Sequence, residues 1–301
     1  MIKTVTVTNY LGESLTMDLR KPEESDFVLL SVDGLAPGAA TVNISENATG
    51  DGGVFNSARL SARNVVLNIV FSWNRLIEDQ RHTAYRFFPL KKPVTIVVET
   101  DRRSASIEGY VESNEVTIFS ALEGAVISIM CPDPLFYGTE FNGVSFSASN
   151  PEFQFPYENP SLSLPLTEFS ELQTQPTKNI VYTGDMDTGM LIKLHATGDV
   201  ENVRIYNTGT QEVMFIDTAK LEALTGAGFS QGDDIEISTF PGKKYARLYR
   251  GANTYNVLNC LGRNVSWFQL TQGDNWFTYT AESGILDLQM GIEYRTAYEG
   301  V

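Results

Sequence analysis

Histidine and cysteine are both scarce in this chain, which carries only His82, His195, Cys131 and Cys260 among its 301 residues. The cysteines fall in different halves and neither belongs to a Cys-x-x-Cys pair. Two buried thiols are therefore predicted, not a disulfide or a zinc site. With the histidines far apart as well, no metal or haem constellation is visible, and the expected cofactors are none. No apolar run approaches the roughly 20 residues of a membrane span, and Met1-Ile2-Lys3 leads straight into strand-like alternation. The chain is expected to be made and kept soluble in a cytoplasm, with no membrane insertion. Basic residues are outnumbered, 22 Lys and Arg against 37 Asp and Glu, for a formal charge of −15. Nucleic-acid binders set Lys and Arg against phosphates, so stable nucleic-acid binding is not expected. Catalytic signatures are missing too: no HExxH, GxSxG, GxxxxGKS/T or GxGxxG occurs.

What the chain does have is β-type patterning. Its hydrophobic content of 42% is that of a globular protein, and its length suggests two domains, each large enough for its own core. Residues 94–99, 106–119 and 125–130 are three β-branched, apolar runs separated by polar turns, which read as consecutive antiparallel strands. Cys131-Pro132-Asp133-Pro134 then stops the ladder, because proline offers no N–H and pushes its predecessor out of the helical region. The boundary is placed there, giving domains 1–137 and 138–301. In the first, residues 2–10 and 14–19 read as a hairpin and 27–32 as a third strand. Residues 63–73 form the most apolar strand, and 74–88 the one strong helix signal. The helix should bury Trp73, Leu76, Ile77, Gln80, Ala84, Phe87 and Phe88, with Asn74 or Ser72 as its cap and Pro89 closing it.

Between these elements lies a polar stretch, 35–62, with a glycine-rich centre at Thr49–Gly53. So long a polar segment inside a compact domain is uncommon and is usually functional or disordered. It is read as a protruding hairpin arm: residues 40–46 out, 54–61 back. A phosphate cradle is the rival for the glycine run, but no Lys-Ser/Thr follows it. After residue 138 prolines at 151, 156, 160 and 165 punctuate short aromatic runs. Ten short strands then follow from 180 to 294 with regular turns, the spacing of a β-sandwich, and a brief helix at 218–224 closed by Gly226.

Paired acids stand at Asp185/Asp187, Asp233/Asp234 and Glu108/Glu112. A polysaccharide-degrading enzyme would need two such carboxylates at a set separation, but acids beside glycine at strand ends are ordinary turn formers. Trp267, Trp276 and Tyr279 are candidates for stacking on sugar rings, core packing being their commoner fate.

Several stretches in order carry a family resemblance: FNSARLSARNVVL (55–67), YRFFPLKKPVT (85–95), IEGYVESNEVTIF (107–119) and CPDPLFYG (131–138) in the first half. In the second they are GDDIEISTFPGKKYARL (232–248), SWFQLTQGDNWFTY (266–279) and IEYRTAYEGV (292–301). Together they resemble the distal tail protein of long-tailed, non-contractile bacteriophages. That resemblance implies a mainly β chain: an N-terminal β-sandwich with one packed helix and a protruding arm, then a C-terminal sandwich similar to galectins and carbohydrate-binding modules. It implies a non-enzymatic virion protein at the tail tip, in which six copies close into a ring. The ring joins the tail tube protein to a tail-tip hub protein and to receptor-binding or baseplate components, and DNA passes through its lumen. Ring contacts are expected from the arm and its flank: Thr49, Gly52, Gly53, Phe55, Asn56, Arg59 and Arg63. The alternative is a carbohydrate-binding tail module that meets host glycans through Trp267, Trp276 and Tyr279.

Overall fold

The computed structural model describes residues 1–47, 49–72, 76–117, 122–151, 170–174 and 177–301, with backbone alone at 147–151 and 170–174. It is mainly β, as the patterning predicts. In chain order the strands of the first part are β1 (Ile2–Thr8), β2 (Ser14–Asp18), β3 (Phe27–Asp33), β4 (Ala40–Glu46), β5 (Gly53–Leu60) and β6 (Arg63–Phe71). Helix α1 (Ile77–Phe87) follows, then β7 (Pro93–Thr100), β8 (Ser104–Thr117), β9 (Gly124–Cys131) and β10 (Phe136–Gly138). The second part comprises β11 (Asn142–Ser145), β12 (Ser147–Pro151), β13 (Ser170–Thr174), β14 (Thr177–Tyr182), β15 (Met190–Ala196), β16 (Val203–Asn207) and β17 (Glu212–Ile216). After α2 (Thr218–Thr225) come β18 (Asp233–Ser238), β19 (Tyr245–Arg250), β20 (Asn253–Asn256), β21 (Gly273–Thr280), β22 (Leu288–Tyr294) and β23 (Ala297–Tyr298).

The chain divides into two compact units, Met1–Glu140 with Ala297–Val301, and Phe141–Thr296. The second unit is thus inserted into the first, whereas the sequence reading kept the last residues with the second domain.

In the first unit β2-β1-β7-β8-β9-β6-β3 form one continuous sheet. Its period-two alternation holds along β6, β7 and β1 from Thr4 onward, and is interrupted by bulges in β1, β3 and β8. Val5 and Val7, Val94, Ile96 and Val98, Val65, Leu67 and Ile69, and Ile127 and Ile129 all point to one core. Edge strands β2 and β3 give Leu15, Met17 and Phe27 to that same core, so the sheet wraps around it as the two layers of a sandwich do. The opposite face mixes polar and apolar side chains: Thr4, Thr6, Thr95, Glu99, Glu108, Ser128 and Asn64 alternate with Val97, Val66, Tyr110, Val126 and Met130. Lys3 at the β1 bulge lies 3.5 Å from Asp101.

Helix α1 closes the core with Gln80, Ala84 and Phe87. It starts later than expected, and Trp73 and Asn74 lie outside the described residues. Leu76 and Ile77, expected in the buried stripe, are exposed. The N-cap position is Leu76, not Ser72, whose backbone exchanges two hydrogen bonds with the Gln80 side chain, at 2.7 and 2.6 Å. The far end of the helix is satisfied from β8, where the Asn114 amide donates to the carbonyls of Ala84 and Phe88.

The second unit is a two-layer sandwich. Sheet β11-β22-β15-β18-β19-β20 faces sheet β14-β21-β16-β17 across a core that includes Ile192, Ile205, Ile237, Phe268 and Phe277. Helix α2 begins on an Asp217 side chain that accepts from the Lys220 N–H and ends on left-handed Gly226.

Candidate assembly surface: the arm and its root

β4 and β5 pair only with each other among the described strands, so the arm of residues 40–60 is a free two-stranded ribbon. Cross-strand partners share a face, and the register puts Val42 opposite Ala58 and Ile44 opposite Phe55. Thr41 opposite Arg59, Asn43 opposite Ser57 and Ser45 opposite Val54 make the other face, polar but for Val54. The register shifts after Asn43, a bulge that leaves Asn56 as the extra residue, its amide 2.6 Å from the Ser45 hydroxyl. Without that bulge Phe55 would fall on the polar face. Further hydrogen bonds link Asn43 to Ser57 and Thr41 to Ser61 across the ribbon.

The result is an amphipathic ribbon with an uncovered apolar face. Val42 is 51% exposed, Ile44 59% and Phe55 63%. Covering three such side chains is worth on the order of 5 kcal/mol, a gain this chain alone does not collect. Thr49, Gly52, Gly53, Phe55, Asn56 and Arg59 all lie on this exposed arm.

Arg63 does not. It heads β6, is 5% exposed, and spends its guanidinium on the chain's own carbonyls. Nε donates to Pro134 O at 2.7 Å, Nη1 to Gly34 O at 2.7 Å and Ala36 O at 2.5 Å, and Nη2 to Glu299 O at 2.5 Å. The Phe136 ring lies 4.9 Å from its Cζ. Burial pulls this guanidinium below its ordinary value. Arg63 therefore sits at the root of the arm and has no surface to offer another molecule. A signal for this exists in the sequence: residues 63, 65, 67, 69 and 71 share one parity, and four of them are Val, Leu, Ile and Phe.

The sugar-stacking trio is not brought together. Tyr279 is 2% exposed, packs edge-on against Phe146 and donates its hydroxyl to the Leu288 carbonyl at 3.2 Å. Burial pushes that phenol up to about 12. Trp276, 47% exposed, faces outward from the same strand, because residues three apart on a strand lie on opposite faces. Trp267 is half-buried in a loop, with the Lys244 ammonium 5.2 Å from its ring centroid.

The paired acids are also apart in role. Asp233 is buried against Arg250, bonded to Nε at 2.8 Å and Nη2 at 2.6 Å, while Asp234 points outward to His195 Nδ1 at 2.8 Å. Glu112 accepts from Ser128, and Asp185 and Asp187 lie exposed in the bend after β14. Among the described residues no group of three His, Cys, Asp or Glu side chains is placed to hold a metal ion, and no helix is long and apolar enough to cross a membrane.

No protein-family model matches this chain, and no curated protein matches it. Solved structures match its fold. Over 98% of its length, and 99% of the other chain's, it is similar to the Dit protein of phage SPP1, described as a paradigm of the hub adsorption apparatus in phages that infect Gram-positive hosts. The TM-score is 0.64 and the identity 15%. It is also similar, over the full length of both chains, to a chain of the phage P2 baseplate in its activated conformation with Ca, at a TM-score of 0.53 and 10% identity. At these identities the likeness is one of fold. It spans both units, as the resemblance to distal tail proteins led us to expect.

Proposed function

We propose that this chain is a structural, non-enzymatic hub subunit of a phage tail tip, six copies of which close into a ring between the tail tube and the tail-tip, baseplate and receptor-binding proteins. The observation that carries the reading is a whole-length fold match to a phage hub protein in a chain that also projects an arm with an uncovered apolar face. An arm seated on the next copy makes a head-to-tail contact, and such contacts generate a closed ring when the rotation closes. Backbone groups along the open edges of β4 and β5 are free to extend a neighbour's sheet. The outward face of the first unit's sheet carries Glu99, Glu108 and Glu112, and its Lys3 lies 3.5 Å from Asp101, so a lumen lined by it would not hold passing DNA.

The mass of the purified protein tests this. Six chains of 33.3 kDa give a particle of about 200 kDa by light scattering, with a six-fold ring and central hole in negative stain. A single-chain mass, both alone and with the tail tube protein added, would overturn the ring.

A further inference from the structure

Three stretches far apart in sequence meet at Arg63, and each gives it a backbone carbonyl: the arm root through Gly34 and Ala36, the proline break through Pro134, and the returning segment through Glu299. A guanidinium has five N–H groups in a fixed fork, so it can tie several acceptors at once where a lysine ammonium cannot hold the same geometry.

The returning segment has its own grip on the same place. The Val301 N–H donates to the Leu35 carbonyl at 3.1 Å, and β23 pairs with β10 through Tyr298 opposite Phe136 and Ala297 opposite Tyr137. The Arg103 guanidinium stacks over the Tyr298 ring, its Cζ 4.4 Å from the centroid. Gly300 lies so close to the arm root that a Cβ there would sit 2.8 Å from Leu35 O and 3.1 Å from the Pro37 ring. Ala297 is fully buried.

We infer that Arg63 and residues 297–301 form a lock on the root of the arm, which holds the arm in place only once the chain has returned from the second unit. Residues 297–301 follow the whole of the second unit in sequence, so a chain that has not completed that unit lacks β23, the Glu299 carbonyl that Arg63 holds and the Val301–Leu35 hydrogen bond at the arm root. The lock thereby couples arm placement to completion of the subunit and keeps unfinished chains out of the assembly. The inference rests on the reading of the arm as the assembly element.

Hydrogen exchange on the full-length protein, alongside its mass by light scattering, tests the two separately. Gly300→Val pushes the returning segment off Leu35 and Pro37, and Arg63→Lys keeps the charge while losing the fork. Both should speed exchange at the amides of residues 35–60 by at least about tenfold, with those of β7, β8 and residues 177–294 unchanged. Glu299→Ala removes a carboxylate that acts on Arg63 through charge but leaves the carbonyl in place, and should leave the protection of residues 35–60 unchanged. Faster exchange at 297–301 in Gly300→Val, with residues 35–60 as protected as before, would overturn the lock. A loosened arm root with the ring mass intact would leave the tie on the arm root standing but overturn both its part in keeping unfinished chains out and the arm as the assembly element. A loosened root with the ring lost supports both.

Discussion

At Gly34 the backbone adopts φ +86°, and a Cβ there would come within 2.2 Å of the Asn64 carbonyl oxygen. The residue ends β3 and starts the arm, so both the left-handed turn and the close approach to β6 demand glycine. Gly34→Ala should destabilise the first unit by at least about 2 kcal/mol, read as a lowered urea midpoint at constant slope. A midpoint unchanged within error would mean that the turn has slack the geometry does not reveal. Asp233 holds a comparable position in the second unit. Burial would raise its carboxyl, but hydrogen bonds from Arg250 and Ser230 outweigh burial and hold it below the ordinary 3.8. A depressed carboxylate stabilises the fold above the unfolded value and loses that contribution as the pH falls through the folded one. The second unit should therefore weaken as pH drops below about 4, and Asp233→Asn should flatten that acid limb. At neutral pH the same variant, leaving Arg250 without its carboxylate, should cost about 3 kcal/mol. Thermal melts at pH 3, 5 and 7 decide it, and an acid limb equally steep in the variant would assign the effect to other carboxylates.

At the scale of elements, the arm separates stability from the proposed assembly. Ile44 and Phe55 are exposed in the single chain, so Ile44→Ser with Phe55→Ser should leave the melting temperature within about 2 °C. The same double variant should abolish the particle of about 200 kDa, because the apolar face is what a neighbouring copy would cover. A variant that still forms the full particle would move the ring contacts to other surfaces of the first unit. Much of this element was legible from residues alone. The polar run and glycine-rich tip bounded the arm, and the observed β4 spans the outgoing residues 40–46 that this reading assigned. The bulge at Asn56 was not, since a one-residue register shift leaves no mark in composition. Strand parity decides two further positions. Trp276 and Tyr279 stand three apart and must diverge, and Arg63 shares the parity of Val65, Leu67 and Ile69 and must turn inward. The early part of the α1 stripe failed for another reason: an apolar face is buried only where a partner surface reaches it, and periodicity says nothing of reach.

For the whole molecule, the decisive feature is a pairing across about 160 residues that no local pattern announces. β10 and β23 sit together in the first unit, and the second unit is everything between them. Its own ends are also paired, Asn142 opposite Tyr294 on adjacent strands β11 and β22, with the Asn142 amide 3.4 Å from the Thr296 hydroxyl. A unit whose ends are neighbours, and whose core of two facing sheets is its own, meets the conditions for folding alone. A polypeptide of residues 141–296 should accordingly give one cooperative thermal transition and an all-β circular dichroism spectrum. The complementary chain, with Glu140 joined to Ala297 through a short Gly/Ser linker, should retain the first unit's fold, the β10–β23 pair and the Arg63 lock. Hydrogen exchange at Val301 and at residues 35–60 would match the full chain in that case. The ring reading makes a further demand on this shortened chain, since the arm and the wrapped sheet both belong to the first unit. It should still assemble into a particle of six, smaller by the mass of the second unit. A shortened chain that folds, keeps the lock and stays monomeric would place essential ring contacts in the inserted sandwich instead.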